Sequence, residues 1–216
     1  MAENMGRTVL NAPNDPAHDA FVERRSQFIG DACHITAFGE ALAFVGSIRS
    51  RHPKARHVAY ACVCGGAGQL SGRMSDDGEP SGTAGKPILE VLTGNGLTDC
   101  VVTVTRYFGG VLLGAGGLIR AYSTAASMAI AKARFGVLRR SRRYRVVLDY
   151  RHIGALQRIL AALGGEQGET RYADRVTFEL LLPEEHAERF EAQVRDAFSG
   201  AVRPEAVGAA EQIIEA

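Results

Sequence analysis

Residues 75–92 read SDDGEPSGTAGKPILEVL, residues 99–110 read DCVVTVTRYFGG, and residues 111–123 read VLLGAGGLIRAYS. The first segment places three acidic residues in a turn before a helix whose first turn contains a proline. The second segment is rich in valine and threonine, which favours a buried strand. The third segment places glycines before a second helix. We predict that the acidic turn, the end of the strand and the start of the glycine-rich helix meet at one site.

The acidic turn contains Asp76, Asp77 and Glu79. Carboxylates in this arrangement can bind Mg²⁺ or act as acid and base. They can equally cap the following helix or pair with Arg106 in a structural turn. His57 is a supporting candidate because its strand should lie beside the strand of Arg106. Without a better placed histidine the pattern favours binding over catalysis, so we assign no catalytic residue, no metal and no cofactor.

The glycine-rich start of the second helix is a candidate anion site. Free backbone N–H groups and the helix dipole both favour an anion there. The alternative is that the glycines only permit tight turns and close packing. Nearby arginines would add positive charge, and aromatic residues including Phe108 could stack on bases. The candidates for binding an anion or a nucleic acid are Arg106, Tyr107, Gly114, Gly116, Gly117, Arg120 and Tyr122.

Neither glycine-rich segment matches a nucleotide-binding loop. A phosphate loop needs glycine at position 80 and serine or threonine at position 87, where the chain has Pro80 and Pro87. The dinucleotide pattern fails at Ile119, which occupies its third glycine position. Both patterns are therefore excluded.

The segments SDDGEPSGTAGKP and TRYFGGVLLGAGGLIRAYS, with ARHVAYACV at residues 55–63, resemble the signature of the IMPACT/YigZ family. The resemblance covers nearly the whole chain. It implies an α+β fold with two domains. The first would be an α/β sandwich similar to the second domain of a small-subunit ribosomal protein. The second would be a ferredoxin-like β-α-β-β-α-β domain similar to an elongation-factor G domain.

The family resemblance also implies translational regulation, which is tied to the eukaryotic members, whereas the bacterial members have no settled biochemical role. One departure from the family pattern lies in the N-terminal part of the chain. Where the family has a basic residue followed by Ser-Arg-Phe, this chain reads Arg25-Ser26-Gln27-Phe28. Any role of the family arginine does not carry over to Gln27.

Hydrophobic periodicity predicts the remaining elements. In the first domain we expect a lead-in up to Pro16 and two strands or a hairpin over Phe21–Ile35 broken at Gly30. A helix over Glu40–Ser50, a central strand over His57–Cys64 and a flexible loop over residues 65–74 follow. Ser81 or Thr83 would cap the next helix. The composition changes near Val137, which divides the chain into residues 1–136 and 137–216. The last strand of the second domain is expected near Ala201–Val207.

Composition limits the function classes. The chain has 216 residues and a formal net charge of +1, which argues against nucleic-acid binding by bulk charge alone. An arginine run over residues 139–145 could bind phosphates or form a solvated linker. The four cysteines lie among apolar neighbours and are expected to be buried thiols. No apolar run is long enough for a membrane helix, and no signal peptide is evident, so we expect a cytoplasmic protein.

Two functions remain open. The first is a binding protein that engages RNA or a ribosome-associated protein in translational regulation or stress adaptation. The second is a metal-assisted hydrolase or transferase that acts on a phosphorylated substrate at Asp76, Asp77 and Glu79. We favour the first, and the oligomeric state is not predicted.

Overall fold

The computed structural model describes residues 6–65 and 70–215. The chain divides into two compact units. The first unit contains the described residues up to Leu138 together with those from Ile213 onward, and the second is Arg139–Gln212. The sequence predicts a second domain that reaches residue 216, whereas the structure groups the last described residues with the first unit.

The first unit is a mixed α/β structure. Its elements are β1 (Arg7–Val9), β2 (Ala17–Glu23), β3 (Ser26–His34), α1 (Phe38–Arg51), β4 (His57–Cys64), β5 (Ser71–Ser75), α2 (Gly85–Gly94), β6 (Cys100–Tyr107) and α3 (Gly114–Ala131). The sheet has the strand order β2-β3-β6-β4-β5, and every neighbouring pair is antiparallel. The predicted central strand, now β4, lies inside this sheet between β6 and β5.

Both faces of this sheet are covered by helices, which explains why its central strands lack a polar face. Side chains that alternate along β6 divide between two apolar clusters. Val102 and Val104 pack with residues of α2 and α3, whereas Val101 packs with residues of α1. The acidic turn connects β5 to α2, and the glycine-rich loop connects β6 to α3. The order of the elements therefore places both loops in the unit whose core is built on β6.

The predicted break at Gly30 is wrong. Gly30 lies inside β3, and a side chain there would overlap the carbonyl oxygen of Ala125 on α3. The glycine therefore permits close packing of helix on sheet. The hairpin instead turns at Arg24 and Arg25, the two residues between β2 and β3.

Two segments predicted as irregular contain strands. Within the predicted loop over residues 65–74, Ser71–Ser75 forms β5 and pairs with β4; residues 66–69 lie outside the described residues. Within the predicted lead-in, Arg7–Val9 forms β1 and pairs with residues 135–137; residues 1–5 are likewise outside. Both strands are short, and their sequences do not alternate clearly between polar and apolar residues.

The second unit has the predicted β-α-β-β-α-β order. Its elements are β7 (Phe135–Leu148), α4 (Ile153–Ala162), β8 (Glu166–Tyr172), β9 (Val176–Pro183), α5 (Ala187–Ala197) and β10 (Glu205–Glu215). The sheet has the order β7-β9-β8, and β10 pairs with β7. Buried residues of both helices, including Leu156 of α4 and Phe190 of α5, cover one face of the sheet. The last strand begins at Glu205 rather than Ala201 and is longer than predicted.

Cys33, Cys62, Cys64 and Cys100 are buried free thiols, as predicted. Among the described residues no helix combines the length and apolarity needed to cross a membrane.

Candidate functional site

Asp76 supplies the cap of helix α2. Its Oδ1 accepts hydrogen bonds from the backbone N–H groups of Gly85 at 2.8 Å and Ala84 at 3.0 Å, and its Oδ2 accepts one from Gly82 at 2.8 Å. Burial raises the pKa of Asp76, but these three backbone donors outweigh it and hold the pKa below its ordinary value. The sequence predicts Ser81 or Thr83 as the cap. The position before the helix is Ala84, which makes no side-chain cap, so the carboxylate reaches it from the preceding turn.

Asp77 connects the turn to α1 and β4. Its Oδ1 lies 2.7 Å from Nη2 of Arg49, and its Oδ2 accepts a hydrogen bond of 2.6 Å from the backbone N–H of Val58. Asp77 has a φ of +49°, a left-handed conformation that aspartate tolerates better than most residues. Both carboxylate oxygens are therefore used in holding separate elements together.

Glu79 forms a buried ion pair with Arg106. Its Oε1 accepts hydrogen bonds from Nη1 of Arg106 at 2.7 Å and from the hydroxyl of Tyr122 at 2.8 Å. The side chains of Glu79 and Arg106 are 3% and 7% exposed. Burial raises the pKa of Tyr122, and the negative charge of Glu79 raises it further. The acidic turn, the end of β6 and α3 therefore meet at one cluster of buried side chains.

His57 adjoins this cluster. Its Nδ1 donates a hydrogen bond of 2.7 Å to the carbonyl oxygen of Asp77, because a carbonyl can only accept. Its Nε2 lies 4.0 Å from Oε1 of Glu79, too far for a direct hydrogen bond. His57 and Arg106 occupy neighbouring strands, since His57 of β4 is opposite Arg106 of β6. The ring is oriented by the backbone rather than by a carboxylate.

The three carboxylates of the turn do not converge. Asp76 faces the start of α2, Asp77 faces Arg49 and Val58, and Glu79 faces Arg106 and Tyr122. Within the part of the chain that the structure describes, no group of three histidine, cysteine or acidic residues could hold a metal ion. The donor set needed for Mg²⁺ is absent from this turn because each carboxylate already has structural partners. The positions of these carboxylates do not support the alternative function of a metal-assisted hydrolase or transferase.

The start of α3 lies elsewhere on the first unit. Gly114 begins the helix with a φ of +71°, which favours glycine, and Gly116 and Arg120 are exposed. A Cβ at Gly117 would lie 2.9 Å from Cβ of Leu113, so this glycine permits close packing in the first turn. Arg120 and Gly117 line a groove that Arg106 does not line. Arg106 is buried with Glu79, whereas Arg120 is exposed and lines this groove, so the two arginines have different surroundings.

The aromatic candidates differ in exposure. Tyr122 is fully buried and stacks edge-on against Phe28. Tyr107 is half-buried, and its hydroxyl lies 3.0 Å from Nδ1 of His52. Phe108 is 45% exposed, and its ring centroid lies 5.4 Å from the guanidinium of Arg106. Of the three aromatic residues considered for stacking on bases, Phe108 presents the most exposed ring.

The hairpin between β2 and β3 carries two arginines that the sequence analysis did not select. Arg24 and Arg25 have φ values of +45° and +68°, as a two-residue type I′ turn requires. Such turns normally contain Asn-Gly, so two arginines here carry backbone strain. Both side chains are exposed. The sequence signal for this turn is the polar gap between two apolar segments. Gly30 lies a few residues later and indicates a break there instead, so the sequence does not point to Arg24 and Arg25.

The loop after β6 packs against this hairpin turn. The backbone N–H of Gly109 donates a hydrogen bond of 3.1 Å to Oγ of Ser26, and a side chain at Gly109 would overlap the carbonyl group of Arg25. Phe108 and the arginine turn are therefore close together. Arg24 also lines the groove that contains Arg120. We call the exposed residues Arg24, Arg25, Phe108 and Arg120 the basic face.

Gln27, the position where this chain departs from the family pattern, is exposed and lies opposite Tyr107 of β6. Because side chains alternate along a strand, it points to the other side of the sheet from Phe28 and Arg106. The change from arginine to glutamine therefore does not alter the Glu79 cluster.

The arginine run of the second unit is partly neutralised. Arg139 pairs with Glu185, and Arg142 pairs with Glu184 at 2.9 Å. The pairing follows from the position of the run on β7, because both partners lie just after β9, the neighbouring strand. These charges belong to a folded sheet rather than to a linker.

Comparison with known proteins places the chain in a family. The sequence profile of the Impact N-terminal domain matches residues 24–130, and that of a domain of unknown function, DUF1949, matches residues 146–201. The IMPACT family member YigZ of Escherichia coli K12 is 34% identical over 183 residues, which cover 83% of this chain and 89% of that protein. The chain belongs to the IMPACT family. The resemblance drawn from the sequence is confirmed.

Further relatives agree with the IMPACT assignment. The family member YvyE of Bacillus subtilis 168 is 36% identical over 185 residues, covering 85% of this chain and 83% of that protein. A solved structure described as a hypothetical protein is 32% identical, covers 94% of this chain and 98% of its own, and has a TM-score of 0.66. The chain has a mixed α/β fold with two domains, and this solved structure is similar to it over 94% of the chain. The finer likenesses to a ribosomal protein and to an elongation factor stay predictions.

Proposed function

We propose that this IMPACT family member binds RNA through the basic face of its first unit, in a role linked to translation. The observation that carries the proposal is the exposure of Arg24, Arg25 and Arg120 beside the exposed ring of Phe108. Guanidinium groups bind phosphates, and exposed aromatic rings stack on unpaired bases. The link to translation comes from the family resemblance alone.

The proposal gives the buried cluster a supporting role. Arg106 is only 6% exposed and is paired with Glu79, so it is poorly placed to contact a phosphate directly. Its guanidinium lies under the ring of Phe108 and next to that of Phe28. We assign Arg106 to positioning the loop that carries Phe108, and Tyr122 to anchoring α3 on Glu79. The contacts with RNA fall to Arg24, Arg25 and Arg120.

A net charge near zero makes local charge the relevant quantity. The protein carries a formal charge of +1, so a contact with RNA must depend on a few arginines rather than on the whole surface. For single-stranded RNA the logarithm of the binding constant falls with the logarithm of salt concentration, with a slope of about −0.7 for each phosphate neutralised. Three arginines predict a slope of about −2.

The test uses variants that retain the fold. Arg24→Asn combined with Arg25→Gly creates the residue pair that a type I′ turn prefers, so it should raise the stability by about 1 kcal/mol or less while removing two charges. Filter binding to single-stranded RNA should show weaker retention and a salt slope smaller in magnitude by about 1.4. Arg56→Gln is the matched control, because Arg56 is an exposed arginine outside the basic face.

Two results would overturn the proposal. One is RNA retention by the turn variant that equals the wild type at every salt concentration. The other is the absence of RNA retention by the wild type at low salt. A loss in Arg56→Gln of about half that in the turn variant, in proportion to the one and two charges removed, would show binding by dispersed charge instead and would also contradict a defined basic face.

A further inference from the structure

A groove of about 250 Å³ lies between the arginine hairpin and the first turns of α3. Its polar lining residues are Glu23, Arg24, Arg120 and Thr124, and its apolar lining includes Phe21 and Leu113. The groove is formed wholly within the first unit. The acidic turn does not contribute to it, so it is distinct from the Glu79 cluster.

The charges of the groove favour an anion. Two guanidinium groups face one carboxylate, and Nε of Arg24 lies 3.9 Å from Oε1 of Glu23 with both side chains more than half exposed. An exposed pair at that distance is weak and leaves Arg24 able to take another partner. Arg120 lines the groove from α3. The hydroxyl of Thr124, one helical turn after Arg120, adds a neutral hydrogen-bonding group.

The apolar lining indicates more than a bare anion. The ring of Phe21 is stacked on Phe28, with centroids 5.5 Å apart and planes at 18°, so its orientation is fixed by the core. Leu113 is half-buried and packs against the same core. An inorganic phosphate gains nothing from such a surface, whereas a flat ring attached to a phosphate gains burial and van der Waals contact.

The size of the groove limits the ligand. Pockets for drug-sized ligands start at about 300 Å³, so a groove of about 250 Å³ suits one small ligand unit rather than a longer stretch of chain. A base inside a duplex is stacked and paired, and its ring cannot enter a groove of this kind. An unpaired nucleotide offers both a free ring and a phosphate.

We propose that the groove binds one nucleoside monophosphate unit, with the phosphate between Arg24 and Arg120 and the base on the apolar lining. The unit can come from an unpaired residue of RNA or from a free nucleotide. If the unit belongs to RNA, the inference rests on the function proposed above, and it makes the basic face selective for single strands. As a site for a free nucleotide it stands alone.

The experiment compares four probes on the full chain. Isothermal titration at low salt is carried out with adenosine 5′-monophosphate, inorganic phosphate, a single-stranded RNA and a duplex of the same length. The groove predicts that the nucleotide binds at least about tenfold more tightly than phosphate. It also predicts that the single strand binds at least about tenfold more tightly than the duplex.

Two variants separate charge from shape. Arg120→Gln should weaken binding of the nucleotide by about tenfold or more, whereas Arg56→Gln should leave it unchanged. Thr124→Phe keeps every charge but places a ring in the groove from an exposed helical position. It should therefore abolish nucleotide binding while the salt dependence of RNA binding persists.

The outcomes distinguish this inference from the proposed function. Equal affinity for the nucleotide and phosphate, or unchanged nucleotide binding in Thr124→Phe, overturns the groove. RNA retention without nucleotide binding or single-strand preference also overturns the groove, while the RNA-binding function stands. Nucleotide binding without RNA retention overturns the RNA-binding function and supports the groove as a site for a free nucleotide.

Discussion

Removing one partner of the buried Glu79–Arg106 ion pair should strongly destabilise the first unit, and Glu79→Ala tests this. The substitution removes the acceptor of two hydrogen bonds, 2.7 Å from Arg106 Nη1 and 2.8 Å from the Tyr122 hydroxyl. It also leaves a guanidinium buried without its counter-charge. Breaking a buried pair in this way costs about 3–5 kcal/mol. Glu79→Gln retains an amide oxygen as acceptor and should cost about 2 kcal/mol.

The assay is urea unfolding followed by circular dichroism, with hydrogen exchange of the β6 amides to identify the transition of the first unit. Glu90→Ala is the control, because Glu90 is exposed and lies 3.9 Å from Lys86. Its loss should cost no more than about 0.5 kcal/mol. The double variant Glu79→Met with Arg106→Met removes both charges and should be more stable than Glu79→Ala alone. A loss in Glu79→Ala no larger than that in Glu90→Ala would refute the reasoning.

Three further predictions concern the surrounding structure. Asp76→Asn should destabilise the protein by about 1 kcal/mol at neutral pH. The pKa of Asp76 is lowered in the native state. Its contribution to stability is therefore complete above its unfolded pKa of about 3.9 and is lost as the pH falls through its native pKa. The urea midpoints of the variant and the wild type should converge in acid for this reason. Gly109→Ala should lower the melting temperature because its Cβ overlaps the Arg25 carbonyl. Gly116→Ala, where the nearest contact is 4.0 Å away, should raise stability by about 0.5–1 kcal/mol. A higher melting temperature for Gly109→Ala than for Gly116→Ala would contradict the packing described. Burial raises the pKa of Cys33 to about 12 and that of Cys64 to about 11. Iodoacetamide at pH 8 should therefore label the thiols of the native protein slowly and those of the unfolded protein fast. Equal labelling rates would count against burial of the thiols.

The acidic turn shows what the sequence could predict and where it stopped. The sequence predicts that the turn, the end of β6 and the glycine-rich start of α3 meet, whereas in the structure α3 reaches the Glu79 cluster through Tyr122, which lies further along the helix. The partners within that cluster depend on distances across the sheet. Asp76 and Glu79 were equivalent as sequence, yet one caps a helix and the other is buried beside Arg106. The sequence also allows a structural role for the turn, in which its carboxylates cap a helix or pair with Arg106. Asp76 has the first of these roles and Glu79 has the second.

The basic face could be predicted only in part from the sequence. Arg120 was selected for its position in the first turns of α3, but Arg24 and Arg25 were not, because the hairpin turn was expected at Gly30. A glycine inside a strand can mark a turn or a close contact with another backbone. The packing of α3 decides between these two outcomes, and that packing involves residues about 95 positions later in the chain. The burial of Tyr122 likewise follows from packing between distant parts of the chain, because its ring lies against Phe28 and its hydroxyl donates to Glu79.

The central claim is that RNA is bound by the basic face of the first unit. Photo-crosslinking of the full chain to single-stranded RNA containing 4-thiouridine, followed by mass spectrometry of the linked peptides, tests it most directly. The account predicts linked peptides that contain Phe108 and the Arg24–Arg25 turn, and their loss when Phe108→Ala is combined with Arg120→Gln. Linked peptides confined to residues 139–212, unchanged in that variant, would contradict it.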